Sequence, residues 1–267
     1  MKIYIDVGHS GLDPGAVGNY DGYTIIERDL NLVQANILRE MLLGYEGVEV
    51  LQSRLTNDLS APNDADGING SSYRCNLWGT DVYGAPVDLM VSVHNNAATG
   101  TARGYDVIHS ISQSADLAEF IGSEYETIGR PKHAIFTRIG AGGLDYYGII
   151  RQTVNEQTRS IIIESVFIDN PGEVKAWIWD EDTGAYRMDQ ITRLMRAVCD
   201  GIVKFYGLKA KLGANVPIIE DGKIEPKPIK PFSISSVNVA FDRIEGDKAV
   251  IEIVINGHIR MIDVPTD

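Results

Sequence analysis

The sequence predicts an α/β fold: a mostly parallel, twisted sheet covered by helices on both faces, with a small antiparallel β unit at the C-terminal end. Three observations predict it. Short apolar runs recur at 2–7, 48–53, 87–94, 105–109 and 160–165, the signature of strands buried on both faces. Segments with apolar residues at spacings of three and four lie between or after them, as amphipathic helices require. Beyond residue 208 this pattern stops, and alternation with turn residues appears only from Val237.

Lys2 to Val7 is the first expected strand, closed by the turn-rich stretch Gly8 to Gly18. From Glu27 to Leu43, the residues Leu30, Val33, Ile37 and Met41 share one helical face. Val48 to Ser53 is the second strand. Asn57 to Ser71 is rich in Asn, Asp and Gly and reads as a loop, followed by a short helix over 72–78. The run from Val87 to His94 is the next strand, then Tyr105 to His109. Ser114 to Ile128 is a helix with Leu117, Phe120, Ile121 and Tyr125 on its apolar side. Gly140 to Gly143 reads as a loop leading into a strand, and Ser160 to Ser165 follows as a strand. The last helix runs from Asp189 to Tyr206. Ile191, Leu194, Met195, Val198, Ile202 and Phe205 form its stripe, and Gly207 suits its C-terminal end.

This organisation divides the chain into a first domain over 1–208, a linker over 209–231 and a β unit over 232–267. The linker segment holds four Pro and five Lys and shows little periodicity. In the last segment Val237, Val239 and Phe241 alternate with other residues, as do Ile251, Ile253 and Ile255. Asn256-Gly257 is a strong hairpin signal, because both turn positions favour φ > 0. A three-stranded meander of this size needs something to pack on: the first domain, a second copy in a homo-oligomer, or a target.

The formal net charge of −13 argues against nucleic acid as a partner and against docking on an anionic membrane. No stretch approaches the length of a membrane span. Lys2 is followed by a short apolar run broken by Asp6, which is no export signal, so synthesis and folding in the cytoplasm are expected. Cys75 and Cys199 lie far apart and are read as free thiols.

Two of the five histidines sit where a metal ligand is expected in an α/β protein: His9 after the first strand, and His94 at the end of Leu89-Met90-Val91-Ser92-Val93. Ligand sites of open α/β sheets lie at the carboxyl ends of strands. Glu27 opens the first helix, where it reaches the same edge. Two imidazoles and a carboxylate leave a fourth position open on zinc, the arrangement of a catalytic site. Amide hydrolysis then needs a further carboxylate to move a proton. Glu164 follows three isoleucines and ends at that edge, where burial demands a partner. Taken singly, each residue also fits a structural role: a hydrogen-bonded histidine, or a glutamate answering a helix dipole. The spacing matches no local zinc pattern.

Four stretches closely resemble, in order, the motifs of the N-acetylmuramoyl-L-alanine amidases of the amidase-3 type. They are Asp6-Val7-Gly8-His9-Ser10-Gly11-Leu12-Asp13-Pro14-Gly15-Ala16, Glu27-Arg28-Asp29-Leu30-Asn31, Ser92-Val93-His94-Asn95-Asn96-Ala97 and Ile163-Glu164-Ser165-Val166-Phe167-Ile168-Asp169-Asn170. Ser53-Arg54 is similar to the family's Thr-Arg, and Arg74 to the Arg of the helix before the histidine strand. Departures are Asn95, Ser53 and the segment Gly104-Tyr105-Asp106, where the family usually carries a Glu.

The resemblance implies a hydrolase with one Zn2+ that cuts the amide between N-acetylmuramic acid and L-alanine in peptidoglycan. His9, Glu27 and His94 match the metal ligands and Glu164 the catalytic residue; Asn96 and Arg74 are candidate substrate-binding residues. With no export signal, the expected setting is a phage endolysin, or an autolysin freed by mother-cell lysis, acting on the wall after release. A zinc peptidase of the stem peptide and a catalytically dead wall-binding module are the alternatives. His109, His133 and His258 are assigned structural or inert roles. Gly140 to Gly143 with Tyr146 and Tyr147 is read as a plain loop over a substrate-binding one, and Trp177 and Trp179 as packing under the last helix.

Overall fold

The computed structural model describes residues 1–56, 75, 85–155, 157–212, 237–245, 248–255 and 258–265. The chain forms two compact units, Met1–Val216 and Pro217–Asp267.

The first unit is built on a six-stranded sheet. Its strands are β1 (Lys2–Val7), β4 (Glu49–Gln52), β5 (Leu89–Asn96), β6 (Tyr105–His109), β7 (Lys132–Phe136) and β8 (Arg159–Phe167), in the order β4-β1-β5-β8-β6-β7. β4, β1, β5 and β8 run parallel. β6 is antiparallel to β8, and β7 is parallel to β6. The sheet is therefore mixed and mostly parallel, as expected.

Alternation along the strands divides the core. Ile3, Ile5, Leu89, Val91, Val93, Val107, Ile161 and Ile163 face one side. There they meet α1 (Glu27–Leu42), α2 (Asp116–Thr127) and α5 (Met188–Tyr206). Tyr4, Met90, Ile108 and Ile162 face the other side and pack with Cys75 and with Ile149 and Ile150 of α3 (Gly148–Thr153). Leu30, Leu38 and Leu42 of α1 are fully buried, each removing roughly 1.5–3 kcal/mol worth of apolar surface from water. α5 buries Ile191, Leu194, Met195, Val198 and Ile202 and stops at Gly207, whose φ of 66° is the left-handed cap expected there. Cys75 and Cys199 are free and buried.

Several elements differ from expectation. Phe120 is 42% exposed and lies edge-on to Phe205, so the apolar face of α2 is narrower than its pattern suggests. The turn-rich segment before α1 holds a hairpin, β2 (Val17–Tyr20) with β3 (Tyr23–Ile26). The loop at Gly140 to Gly143 leads into α3, not a strand. α4 (Pro171–Trp177) and a two-residue hairpin, β9 (Trp179–Asp180) with β10 (Ala185–Tyr186), follow β8. α4 begins with Asn170 accepting from Gly172 and Glu173 amides and with Pro171 in its first turn, a local start signal. The loop over 57–71, the helix over 72–78 (apart from Cys75) and the segment 213–236 lie outside the described residues.

The second unit is an antiparallel meander of β11 (Val237–Glu245), β12 (Lys248–Ile255) and β13 (His258–Pro265), in that order. Glu245 pairs with Lys248 and Ile255 with His258, the register of two-residue connections. The Asn256-Gly257 turn itself is outside the described residues. Among the described residues, no helix is long and apolar enough to cross a membrane.

Candidate active site

The site forms at the carboxyl ends of β1, β5 and β8. His94 is in register with Glu164, and Glu164 with Asp106, so the three side chains form one row on one face of the sheet. Gly8 follows β1 and carries no side chain for a physical reason: a Cβ there would lie 2.2 Å from the His94 ring. The chain then turns through His9, whose φ of 60° is the one positive value among described non-glycine residues. Such backbone strain persists only where surroundings hold it.

Glu27 sits between the two imidazoles. Its Oε2 is 3.1 Å from His9 Nε2 and its Oε1 is 3.0 Å from His94 Nδ1. One ligand atom from each of His9, Glu27 and His94 lies within 4.8 Å of the others. The rings meet edge-on, with centroids 5.0 Å apart. Burial disfavours charge on Glu27, but the two histidines outweigh it and hold the carboxyl well below the usual range. Burial likewise opposes charge on His94, yet Glu27 and Glu164 hold that ring up at about 9. His9 is also raised, by Glu27 and Asp13 against burial. A carboxylate flanked by two imidazoles, two of the three side chains still partly open to solvent, is a donor set that fits a catalytic zinc ion.

Neighbours fix these groups. Asp13 Oδ2 lies 2.9 Å from His9 Nδ1, the outer carboxylate that commonly orients a ligating imidazole. The Ala16 and Asn95 amides donate to Glu27, at 2.8 and 3.1 Å. Asn31 donates to the Gly8 carbonyl at 3.0 Å, and the Asn95 side chain donates to Asn31 and Gln34. Arg28 donates to the Gly11 carbonyl, Arg54 to the Gly8 and Arg28 carbonyls, and the Val7 amide to Ser53 Oγ. The motif residues around the two histidines thus tie the first loop to α1 and to β4.

Glu164 is partly buried, and its Oε2 is a buried oxygen without a hydrogen-bond partner among the described residues. Burial pushes its carboxyl up to about 7; His94 opposes this, while Glu27 and Asp106 add to it. Asn96 donates to Asp106 Oδ2 at 2.9 Å and accepts from the Ala97 amide at 2.8 Å, so both ends of its side chain are engaged within the protein. Arg74 lies outside the described residues. His109 sits at the far end of β6, opposite Ile161, and bonds the Ser110 carbonyl. His133, assigned a structural role from sequence, bonds Asp106, which pairs with Glu164. Trp177 lies beneath the Arg130 and Arg193 guanidinium groups, while Trp179 stacks on Tyr23 with centroids 5.1 Å apart.

The sequence matches the model of the N-acetylmuramoyl-L-alanine amidase family, amidase-3 type, over residues 3–192. The chain belongs to this family. Among family relatives, the sporulation-specific N-acetylmuramoyl-L-alanine amidase of Bacillus subtilis (strain 168) is 37% identical over 102 residues, covering 38% of this chain and 33% of that protein. The match thus spans about a third of that curated relative's length. The endolysin of Bacillus phage SPP1 is 26% identical over 226 residues, covering 82% of this chain and 71% of the endolysin. The catalytic domain of the amidase CwlV from Paenibacillus polymyxa superposes with a TM-score of 0.59 at 20% identity, covering 78% of this chain and 99% of that domain. The catalytic domain of the CD27L endolysin gives 0.55 at 20% identity, covering 76% and 97%. The family's fold accounts for the first unit.

Proposed function

We propose that the protein is a zinc-dependent N-acetylmuramoyl-L-alanine amidase that hydrolyses the amide joining N-acetylmuramic acid to L-alanine in peptidoglycan. The observation that carries this is the cluster of His9, Glu27 and His94 with the unpartnered Glu164 oxygen in the next strand, in a chain of this family. His9, Glu27 and His94 would hold one ion. When bound, zinc supplies Lewis-acid charge that stabilises negative charge developing on oxygen.

The chain's own residues do the rest. Glu164 takes the proton of the attacking water and returns it to the nitrogen as the C–N bond breaks; its unpartnered Oε2 is the oxygen open to that proton. Asp13 holds the His9 ring, and Asn96 holds Asp106, so Asn96 serves the site as a positioning residue. Arg74 is proposed as a substrate-binding residue. The segment 232–267 is proposed to bind the wall or a second copy, with 209–231 as its tether. The span of the match to the phage endolysin supports an endolysin, acting on the wall after release.

Mass analysis of products from purified cell wall tests this. Intact stem peptides with a new amino-terminal alanine, beside glycan free of peptide, are expected. Cleavage inside the stem peptide would replace the amidase reading with a peptidase.

A further inference from the structure

His133 is the extra residue of a β-bulge. Tyr105 pairs with Lys132 and Asp106 with Ala134, so His133 has no strand partner of its own on β6. Bulges re-aim side chains and are common beside active sites. Here the ring turns to Asp106, with Nδ1 2.7 Å from Oδ1, while its side chain stays 46% exposed. Asp106 is 3% exposed, and its second oxygen accepts from Asn96. A carboxylate can only accept from the ring, so a neutral imidazole here carries its proton on Nδ1, and Nε2 is the ring nitrogen that Asp106 does not engage. Asp106 is next in register to Glu164, which is next to His94. Neighbouring strands are about 4.8 Å apart, so Asp106 stands between Glu164 and His133, which lies two strands away, roughly 10 Å, on the side away from the metal-ligand cluster. The ring also lies edge-on to Phe167, three residues after Glu164, with centroids 4.8 Å apart. A histidine–carboxylate hydrogen bond whose ring is 46% exposed adds little stability. What this clamp accomplishes is to present Nε2.

We propose that His133 is a substrate-contacting residue whose Nε2 hydrogen-bonds an amide or hydroxyl group of the substrate chain next to the scissile bond. This rests on the amidase reading, under which the substrate is an amide-linked glycan and peptide offering such groups throughout.

Two variants separate contact from support. His133→Asn keeps a donor near the Nδ1 position for Asp106 and lacks the outward atom. His133→Gln places an amide near the Nε2 position. Steady-state kinetics on soluble disaccharide-peptide muropeptides, and calorimetric binding of the same muropeptides in a Glu164→Gln background, read the effect. His133→Asn is expected to lower kcat/KM about tenfold through KM and to weaken binding by the same factor, with zinc content and thermal midpoint unchanged. His133→Gln is expected to recover most of the loss. Parent-like kinetics for His133→Asn, better rescue by Asn than by Gln, or a loss confined to kcat would overturn the proposal. An unsubstituted protein that leaves the muramoyl–alanine bond intact would instead overturn the amidase reading itself.

Discussion

Replacing Glu164 with Gln removes the titrating oxygen and leaves the volume of the side chain in place. The variant is expected to retain zinc and to lose about 10²–10⁴-fold in turnover, the usual contribution of a positioned proton carrier. Near-parental turnover would show that another group moves the proton. His9→Ala is expected to lose the metal, checked by elemental analysis after dialysis; equal zinc in variant and parent would remove His9 from the ligand set. Gly8 makes a subtler test. A Cβ at this position collides with the His94 ring, so Gly8→Ala should displace one ligand and weaken zinc affinity while the far side of the sheet keeps its fold. Unchanged zinc affinity by competition titration would contradict this geometry. At this scale the sequence is legible where chemistry coincides with a strand end, as at His9, His94 and Glu164. It is silent on His133. That side chain reaches the site only because a bulge turns it and because β6 runs antiparallel to β8, both long-range consequences of pairing. Asp13 was within reach of inspection, four residues after His9, but its role depends on the left-handed turn at His9.

An element with a full helical stripe is readable for a physical reason: α5 buries Ile191, Leu194, Met195, Val198 and Ile202 on one face, so period and burial agree, whereas α1 buries Leu30, Ile37 and Met41 as spaced but also Asn31 and Gln34, with Val33 only partly buried. The β2–β3 hairpin is not readable in the same way. Its four-residue strands carry Gly18, Asn19 and Thr24, which look like loop, and Tyr20 Oη donates to the Ile168 carbonyl, a contact 148 residues away in sequence. β7 is hidden by Lys132 and His133 on an exposed edge. Phe120 shows the opposite error: an apolar residue at helical spacing that is only partly covered. The packing of α2 on α5 has its own point of control. A Cβ on Gly201 would approach the Ile121 Cα to 2.5 Å, a backbone atom that cannot move alone. Gly201→Ala gains about 1 kcal/mol of helix propensity, but overpacking costs about 1–3 kcal/mol. Loss of stability is therefore expected in urea denaturation, and a raised midpoint would show that the two helices can separate freely.

The molecule as a whole joins a unit with its own two-faced core to a three-stranded meander. Periodicity separates the two parts in the sequence, because helical spacing ends near residue 208 and alternation begins only at 237, while the two compact units meet after Val216. What the meander binds is not legible, since no repeat or ligand-bearing cluster marks it. If it docks the protein on the wall, a chain ending at residue 212 should cleave soluble muropeptides at the parental rate and lose co-sedimentation with purified wall. Equal sedimentation of the two chains would leave self-association, read as a change in mass by light scattering. The acidic surface, at a net charge of −13, offers no general attraction to wall polyanions, so specific contacts must supply any affinity. The claim that organises all of this is metal-dependent cleavage at one bond, and the release of amino-terminal alanine from purified peptidoglycan before and after chelation measures it. Release that stops when zinc is stripped and returns when zinc is restored is the expected result. Undiminished release from fully zinc-free protein would contradict it.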